Sequence, residues 1–355
     1  MILFYLMLIG PLLTYALVSR TTRREYANRA AITCFFIILF IILILRSEST
    51  GIDLENYKYY FNLIAESGWN RIFSFNLEPG YVLLNKLTSV IFNDFRFFMI
   101  IVAAITVFPM MSVYRKNTRN AGIEIVIFIN MSTFIMMFSG LRQAIAISLG
   151  LVALSYAQER KLVKFILIIL FAMTFHLSAF MLFFIYPIYH HKLRKQSLWI
   201  IVPAIVLIFI FNRQIFTLLT MLLPSAYSDA TLSFSNAFTM IILLVIFVAY
   251  SFIIPDEGSL DKTGKGLRNL LLFSLVLQLF APVHNTAMRM NYYYLVFIPL
   301  LLPRVMESRK DRWANLTELS KFVILLFFTV YFFYYAYTST GSLHVFPYHF
   351  FWENV

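Results

Sequence analysis

The sequence predicts an all-α integral membrane protein, a polytopic bundle of about ten to twelve transmembrane helices. Hydrophobic residues make up 61% of the 355 residues and charged residues only 13%, whereas a soluble domain carries roughly a quarter charged residues. The mean hydropathy is +0.78. Apolar runs follow one another along the whole chain, and the loops between them hold most of the basic residues.

The candidate spans are apolar runs near the length that a bilayer requires, and several are short enough to suit helices enclosed in a bundle. They cover residues 2–18, 31–45, 95–113, 123–138, 142–158, 162–175, 178–189, 198–212, 236–254, 268–281, 291–303 and 316–337. The first run lacks the basic n-region and the cleavage site of a signal peptide, so we expect it to be retained. The pair 162–175 and 178–189 also fits a re-entrant hairpin shielded by protein.

The basic residues predict the direction of the spans, because cytoplasmic loops carry an excess of Lys and Arg. Most of the 29 such residues fall in one set of alternate loops, namely Arg20, Arg23, Arg24, Arg29, Arg115, Lys116, Arg119, Arg160, Lys161, Lys164, Lys192, Arg194, Lys195, Lys262, Lys265, Arg268, Arg304, Arg309, Lys310, Arg312 and Lys321. Both termini are therefore predicted to lie on the outer side. The net charge is +12, but the basic residues fall in short loops in the positive-inside pattern rather than in a binding patch, so no nucleic-acid partner is expected.

The chain is predicted to form a single integral membrane domain over residues 1–355. Its longest outer segments are 46–94 and 213–235. Residues 81–92 are amphipathic and predict an interfacial helix, because counting them as a span would place the later basic loops outside. The single cysteine excludes a disulfide framework and a metal site built on cysteine spacing.

Polar residues gather at the outer ends of several spans, whereas the few acids within spans lie at cytoplasmic helix ends. A proton- or sodium-coupled transporter usually needs carboxylates near the membrane midplane, and none is evident in the sequence. The outer clusters are Arg46 with Gly51 and Asp53, Glu78-Pro79-Gly80, Ser139-Gly140-Leu141-Arg142-Gln143, His176 with Ser178, and His284-Asn285 with Arg289. We expect these clusters to converge on one cavity that opens to the outside.

Each outer cluster also has an ordinary structural interpretation. Arg46 ends an apolar span, where an arginine commonly extends to the lipid headgroups. Arg289 suits an interfacial position, and a lone histidine such as His176 is commonly a hydrogen-bonded structural residue. The outer acids also suit helix caps and turns. Arg142 differs, because it lies in a short connection beside an apolar run, where burial without an anionic partner is costly, and a ligand role is favoured.

Four motifs occur in order along the first half of the chain. They are Arg46 with Gly51-Ile52-Asp53 and Tyr57; Glu78-Pro79-Gly80-Tyr81 with Leu84-Asn85; Ser139-Gly140-Leu141-Arg142-Gln143 with Ala144 and Ser148; and Phe175-His176-Leu177-Ser178-Ala179. In order and rough spacing, through about residue 190, they resemble the EpsG-like family of polysaccharide polymerases. The family often has a small hydroxylated residue where this chain has Ile52. The later half matches only in general character.

The resemblance implies a Wzy-type polymerase, which joins polyprenyl-pyrophosphate-linked oligosaccharide repeat units at the outer face of the bacterial cytoplasmic (inner) membrane. The products of the family are exopolysaccharide, capsule or O-antigen chains. The fold is expected to resemble that of the GT-C-like membrane glycosyltransferases and the O-antigen ligases. Expected partners are the polyprenyl-pyrophosphate-linked oligosaccharide and membrane lipid, with a chain-length regulator and a flippase as further candidates.

In such a reaction an acceptor hydroxyl attacks the anomeric carbon of the growing chain, and polyprenyl pyrophosphate leaves. Guanidinium groups stabilise the charge that gathers on the pyrophosphate. The candidates are Arg142 first, then Arg289 and Arg46, with Gln143 beside Arg142. The attacking hydroxyl needs a general base or an oriented acceptor. The candidates for that role are, in order, Asp53, Glu78 and His176.

Tyrosines near the outer clusters offer ring faces and hydroxyls for sugars, although an aromatic belt explains them equally well. They are Tyr57, Tyr60, Tyr292 and Tyr293. Asp53 and Glu55 have the alternating spacing of a divalent-metal site, which requires an extended or turn backbone. The family motif covers Asp53 but not Glu55, so a mechanism without a metal or cofactor is favoured.

Two other functions compete with the polymerase. A flippase for the same lipid-linked sugars is a transporter of similar size, but the missing midplane carboxylates and the one-sided polar clusters count against it. A membrane acyltransferase needs a histidine reachable from the cytoplasmic donor side, and His190 and His191 lie in an ordinary basic loop. The acyltransferase is the least favoured of the three.

Overall fold

The computed structural model describes residues 2–220, 234–256, 258–338 and 342–353. These residues form helices joined by turns, with isolated bridges but no strand among them. The predicted all-α class is therefore confirmed for this part of the chain. The helices are α1 (Ile2–Val18), α2 (Arg24–Leu45), α3 (Leu54–Glu66), α4 (Pro79–Ile91), α5 (Phe95–Asn117), α6 (Ala121–Asn130), α7 (Ser132–Ser139), α8 (Leu141–Gln158), α9 (Leu162–Met173), α10 (Ile185–His190), α11 (Leu198–Ile210), α12 (Asn212–Thr220), α13 (Phe234–Ile253), α14 (Lys262–Gln278), α15 (Asn285–Leu295), α16 (Ile298–Glu307) and α17 (Ala314–Thr338).

The chain divides into two compact units, one formed by residues 1–183 and 319–355 and the other by residues 184–318. In the first unit, α1 packs on α2, α2 on α5, α5 on α8 and α8 on α9. In the second unit, α14 packs against α10, α13, α15 and α16. The interpretation of residues 1–355 as a single membrane domain stays a prediction.

Several helices have the length and composition of membrane spans. In the described part of the chain these are Arg24–Leu45, Phe95–Asn117 and Asp311–Thr338, three in all, or up to five if each of two bent pairs is one span. The bent pairs are α6 with α7, at 61°, and α11 with the first residues of α12, at 80°. Shorter apolar helices include α1 and α9. The chain is thus a helical membrane protein, whereas the total of ten to twelve spans stays a prediction.

Helix α4 corresponds to the interfacial helix predicted over residues 81–92. Its polar residues Asn85, Lys86 and Thr88 are buried, while its exposed face is apolar and consists of Leu83, Leu87, Val90 and Ile91. The helix therefore turns its polar side toward the protein and its apolar side outward, as suits contact with lipid. Its position at a membrane interface stays a prediction.

Lys86 is a buried cation of α4, and backbone carbonyl groups of a neighbouring segment bind its charge. Its Nζ donates to the carbonyl oxygens of Ala65, at 2.9 Å, and Ser67, at 2.7 Å. These carbonyls lie at the C-terminal end of α3, where the helix dipole favours positive charge. The contact joins the end of α3 to the middle of α4.

The other predicted outer segments are described only in part. Of the predicted segment 213–235, residues 221–233 lie outside the described residues, and its first part belongs to α12. Residues near the C-terminus fold back onto the end of α2. There Ser47 N donates to His349 O at 2.7 Å, and Phe351 N donates to Leu45 O at 3.0 Å.

Candidate functional site

Glu78 lies at the centre of a cluster that joins three of the four sequence motifs. It is the residue before Pro79, the first residue of α4. One carboxylate oxygen, Oε2, forms an ion pair with Arg142 Nη1. The other, Oε1, is 3.1 Å from His176 Nδ1 and accepts from Leu177 N at 3.2 Å. Three residues from separate stretches of the chain, Glu78, Arg142 and His176, therefore meet in the first unit.

A close backbone contact places Glu78 beside His176. Gly80 N donates to Thr174 O at 2.8 Å, and Tyr81 N lies 3.3 Å from the same oxygen. The first N–H groups of a helix have no partner within the helix. Here the carbonyl oxygen of Thr174, the residue after α9, is their partner. A Cβ on Gly80 would collide with Thr174. Glycine at this position is therefore required for the approach.

Arg142 reaches the cluster from the first turn of α8, just after the break between α7 and α8. Its guanidinium carbon lies 5.9 Å from the ring centroid of Tyr57 and 5.7 Å from that of Tyr81. Rings at this distance attract a cation through their negative faces. The side chain of Arg142 is 26% exposed, compared with 17% for Glu78 and 19% for His176. The cluster is shielded but is not sealed from a ligand.

The charges around Glu78 determine its protonation. Burial raises the pKa of the Glu78 carboxyl, but the hydrogen bond from His176 and the positive charge of Arg142 outweigh burial and lower the pKa to about 2. Glu78 is therefore an ionised acceptor at neutral pH and a poor general base. Because a carboxylate only accepts, the Nδ1 atom of His176 must donate to it. A neutral His176 then carries its lone pair on Nε2.

The first motif docks against the same helix break that precedes Arg142. Ile52 N donates to Ser139 Oγ at 3.2 Å and to Leu343 O at 3.0 Å. Gly51 has a φ of +132°, and a Cβ there would collide with Phe138 O. Asp53 follows this turn, is half-buried, and accepts from Tyr57 N through its own carbonyl at 3.0 Å.

Asp53 and Glu55, the two acids considered for a shared cation, lie at the start of α3. Asp53 has helical dihedral angles, with φ of −95° and ψ of −3°, and α3 begins at the next residue. Side chains two residues apart on a helix do not face each other. The role of Asp53 as a general base stays a prediction.

The other predicted residues of the first unit have different surroundings. Arg46 is 2% exposed and donates through Nη1 to the carbonyl oxygens of Met137 and Phe138, at 3.3 and 2.8 Å. Gln143 is buried within α8, and the ring of half-buried Tyr60 lies 5.5 Å from that of Tyr59. The structure thus joins Tyr57 to the cluster through Arg142, and the roles proposed for Arg46, Gln143 and Tyr60 stay predictions.

Arg289, Tyr292 and Tyr293 all lie on α15 in the second unit. Arg289 is exposed, whereas both tyrosines are buried. His284 caps this helix, because its Nδ1 accepts from Thr286 N at 3.1 Å. The roles of Arg289 in pyrophosphate binding and of the two tyrosines in sugar binding stay predictions.

Three residues of the cluster are missing from the predicted site residues, namely Tyr81, Thr174 and Leu177, which like Thr174 contributes only a backbone group. Tyr81 follows Glu78-Pro79-Gly80 directly, so its place in that motif was the available signal. Thr174 contributes a backbone carbonyl. Every residue has such a carbonyl, so the sequence carries no signal for this role.

Comparison with known proteins identifies a family for this chain. A family model described as the EpsG family matches residues 29–350. The matched range includes all four motifs and the cluster around Glu78. No curated protein and no solved structure matches the chain.

Proposed function

This chain belongs to the EpsG family, and from that premise we propose that it is a Wzy-type polysaccharide polymerase. In this proposal it is a membrane glycosyltransferase that joins polyprenyl-pyrophosphate-linked oligosaccharide repeat units at the outer face of the bacterial cytoplasmic membrane. The family supports a polymerase-type role in polysaccharide synthesis. The observation that carries the specific reaction is the cluster of Arg142, Glu78 and His176.

Arg142 stabilises the leaving group. When the bond between the anomeric carbon and the pyrophosphate oxygen breaks, its electron pair moves onto the pyrophosphate. A guanidinium has five N–H donors, so Arg142 keeps its contact with Glu78 through Nη1 and binds phosphate oxygens with others. A positive group fixed in a shielded site stabilises this developing charge without moving a proton.

His176 removes the proton from the acceptor. The hydroxyl oxygen of the acceptor sugar forms the new glycosidic bond to the anomeric carbon, and its proton moves to His176 Nε2. Glu78 holds Nδ1 of the same ring at 3.1 Å, so it orients the imidazole and stabilises the imidazolium that forms. The low pKa of Glu78 suits this orienting role and argues against Glu78 as the base.

We propose that the fold is a GT-C-like bundle of ten to twelve spans with both termini outside. The alternation of basic loops supports this orientation, and it places the four motifs on the outer side. A repeat unit delivered to the outer leaflet then meets the cluster without crossing the membrane again. A chain-length regulator and a flippase are the protein partners that this arrangement calls for.

A deletion strain tests the proposal. Cells that lack this protein are expected to accumulate single lipid-linked repeat units on the outer leaflet, and the wild-type gene is expected to restore polymer. An H176A gene is expected to restore the protein in the membrane but not the polymer. Repeat units retained on the inner leaflet indicate a flippase instead, and normal polymer in the deletion strain refutes a polymerase.

A further inference from the structure

The break between α7 and α8 determines where Arg142 points. α7 ends at Ser139, α8 begins at Leu141, and Gly140 lies between them. The last carbonyls of a helix have no partner within that helix. Phe138, Ser139 and Leu141 are all buried, so these carbonyls need partners from the protein.

Arg46 supplies partners to the end of α7. Its Nη1 donates to Phe138 O at 2.8 Å and to Met137 O at 3.3 Å. Its guanidinium carbon is 5.8 Å from the ring centroid of Phe138. A cation at a helix C-terminus is also favoured by the helix dipole. Arg46 thus has the contacts of a helix cap contributed by a distant part of the chain.

Ser139 joins the same break to two other segments. Its Oγ accepts from Ile52 N at 3.2 Å and donates to Leu343 O at 3.0 Å. Ile52 N also donates to Leu343 O at 3.0 Å. Residues 342–353, here called the C-terminal strap, therefore meet the Gly51 turn and the α7–α8 break at one point.

The C-terminal strap is anchored along the end of α2. Tyr348 Oη donates to Ile42 O at 2.8 Å. Arg96 donates to Ile44 O at 2.7 Å, and its guanidinium lies over the ring of Phe351 at 3.1 Å from the centroid. The residue after this helix end is Arg46. The strap therefore holds both Arg46 and Ser139 in place.

We propose that Arg46 is a positioning residue, which acts on polymerisation only by holding the α7–α8 break from which Arg142 projects, with Ser139 and the C-terminal strap as the rest of the clamp. This inference rests on the proposed function for the role of Arg142. It assigns to Arg46 a role other than binding pyrophosphate. The reason is that Nη1 of Arg46 already faces two protein carbonyls in a side chain that is 2% exposed.

Hydrogen exchange of purified protein tests the clamp without reference to activity. R46Q removes the charge from the cap, S139A removes the hydroxyl, and R71Q changes an exposed arginine of the same outer segment as a matched control. R46Q and S139A are expected to raise the exchange rate of amides in residues 137–145 at least about tenfold. R71Q is expected to leave these rates unchanged, and amides of α9 are expected to stay as in the wild type in all three variants. Unchanged exchange over 137–145 in R46Q overturns the inference.

A double-mutant comparison tests the route from Arg46 to Arg142. Single-step extension of lipid-linked repeat units is measured for R46Q, R142K and the double variant. If Arg46 acts only through Arg142, R46Q adds little to the loss already caused by R142K. Losses that multiply mean an independent contact with the substrate and overturn the positioning role. An R142K or R142A protein that extends chains normally refutes the proposed function instead, while the exchange result still decides whether the clamp exists.

Discussion

Replacing Glu78 with Gln removes the negative charge of the side chain but keeps its shape. The variant keeps an oxygen that can accept from His176 Nδ1 and Leu177 N, but it removes the negative charge paired with Arg142. We expect purified E78Q to unfold at a lower temperature and to extend chains more slowly than the wild type. The slower extension follows because the imidazolium that forms on His176 loses its counter-charge.

The size of the effect follows from the pKa of the carboxyl. A pKa lowered to about 2 corresponds to about 3 kcal/mol in favour of the ionised form. Solvent reaches this side chain, which is 17% exposed, so about 2 kcal/mol is a better expectation for the net loss. This energy concerns folding, so it predicts the loss of unfolding free energy in E78Q, and the decrease in extension rate is measured separately.

The pH dependence gives the sign of the effect. The pKa of Glu78 is lower in the folded protein than in the unfolded chain, so its contribution to stability is complete above the unfolded value, near 4.3. This contribution is lost as the pH falls toward about 2. Unfolding temperatures of wild type and E78Q, followed in detergent from neutral to acidic pH, are therefore expected to differ most at neutral pH and to converge in acid.

E66Q provides a matched control, because Glu66 is an exposed acid in the same predicted outer segment, 46–94. We expect E66Q to match the wild type in both assays. An E78Q protein with the stability and extension rate of E66Q would refute the assignment of Glu78 as the residue that orients His176 and pairs with Arg142.

Four further predictions use the same preparations. R142A is expected to abolish chain extension at normal membrane levels, measured by polymer length on gels, and polymer of normal length removes Arg142 from the mechanism. H176A is expected to lower turnover of lipid-linked repeat units by about 10² to 10⁴, and turnover at the wild-type rate means that another residue is the base. G80A is expected to destabilise the protein by about 1 to 3 kcal/mol because its Cβ would collide with the chain after α9, whereas G122A, whose Cβ meets only ordinary contacts, serves as the control in thermal unfolding. Chelator is expected to leave turnover unchanged, because the start of α3 is helical, and lost activity that returns with a divalent cation would indicate a metal site.

Local signals in the sequence were enough to predict the class of protein and its helices. An all-helical membrane protein follows from 61% hydrophobic and 13% charged residues, because a chain so poor in charge cannot cover a water-soluble surface. Helix α4, at Pro79–Ile91, lies close to the predicted 81–92, because its amphipathic pattern is contained in the segment itself. The family was recognisable for a similar reason, since each of its motifs is a short run of neighbouring residues.

The surroundings of individual charged residues were decided by tertiary contacts. In the sequence Arg46 and Arg142 each border an apolar run, and only the short connection around Arg142 distinguishes the two. In the structure one faces backbone carbonyls and the other an ionised carboxylate. The sequence ranked Asp53 first as a base and His176 last. The hydrogen bond between His176 and Glu78 makes His176 the stronger candidate.

The physical reason lies in the range of each effect. Hydrophobic patterning and helix formation depend on residues within a few positions of one another, so both can be recognised directly in the sequence. The protonation of Glu78 and the direction of Arg142 depend on burial and on partners dozens of residues away. A charge in such a place is defined by what surrounds it, and only the folded chain brings those surroundings together.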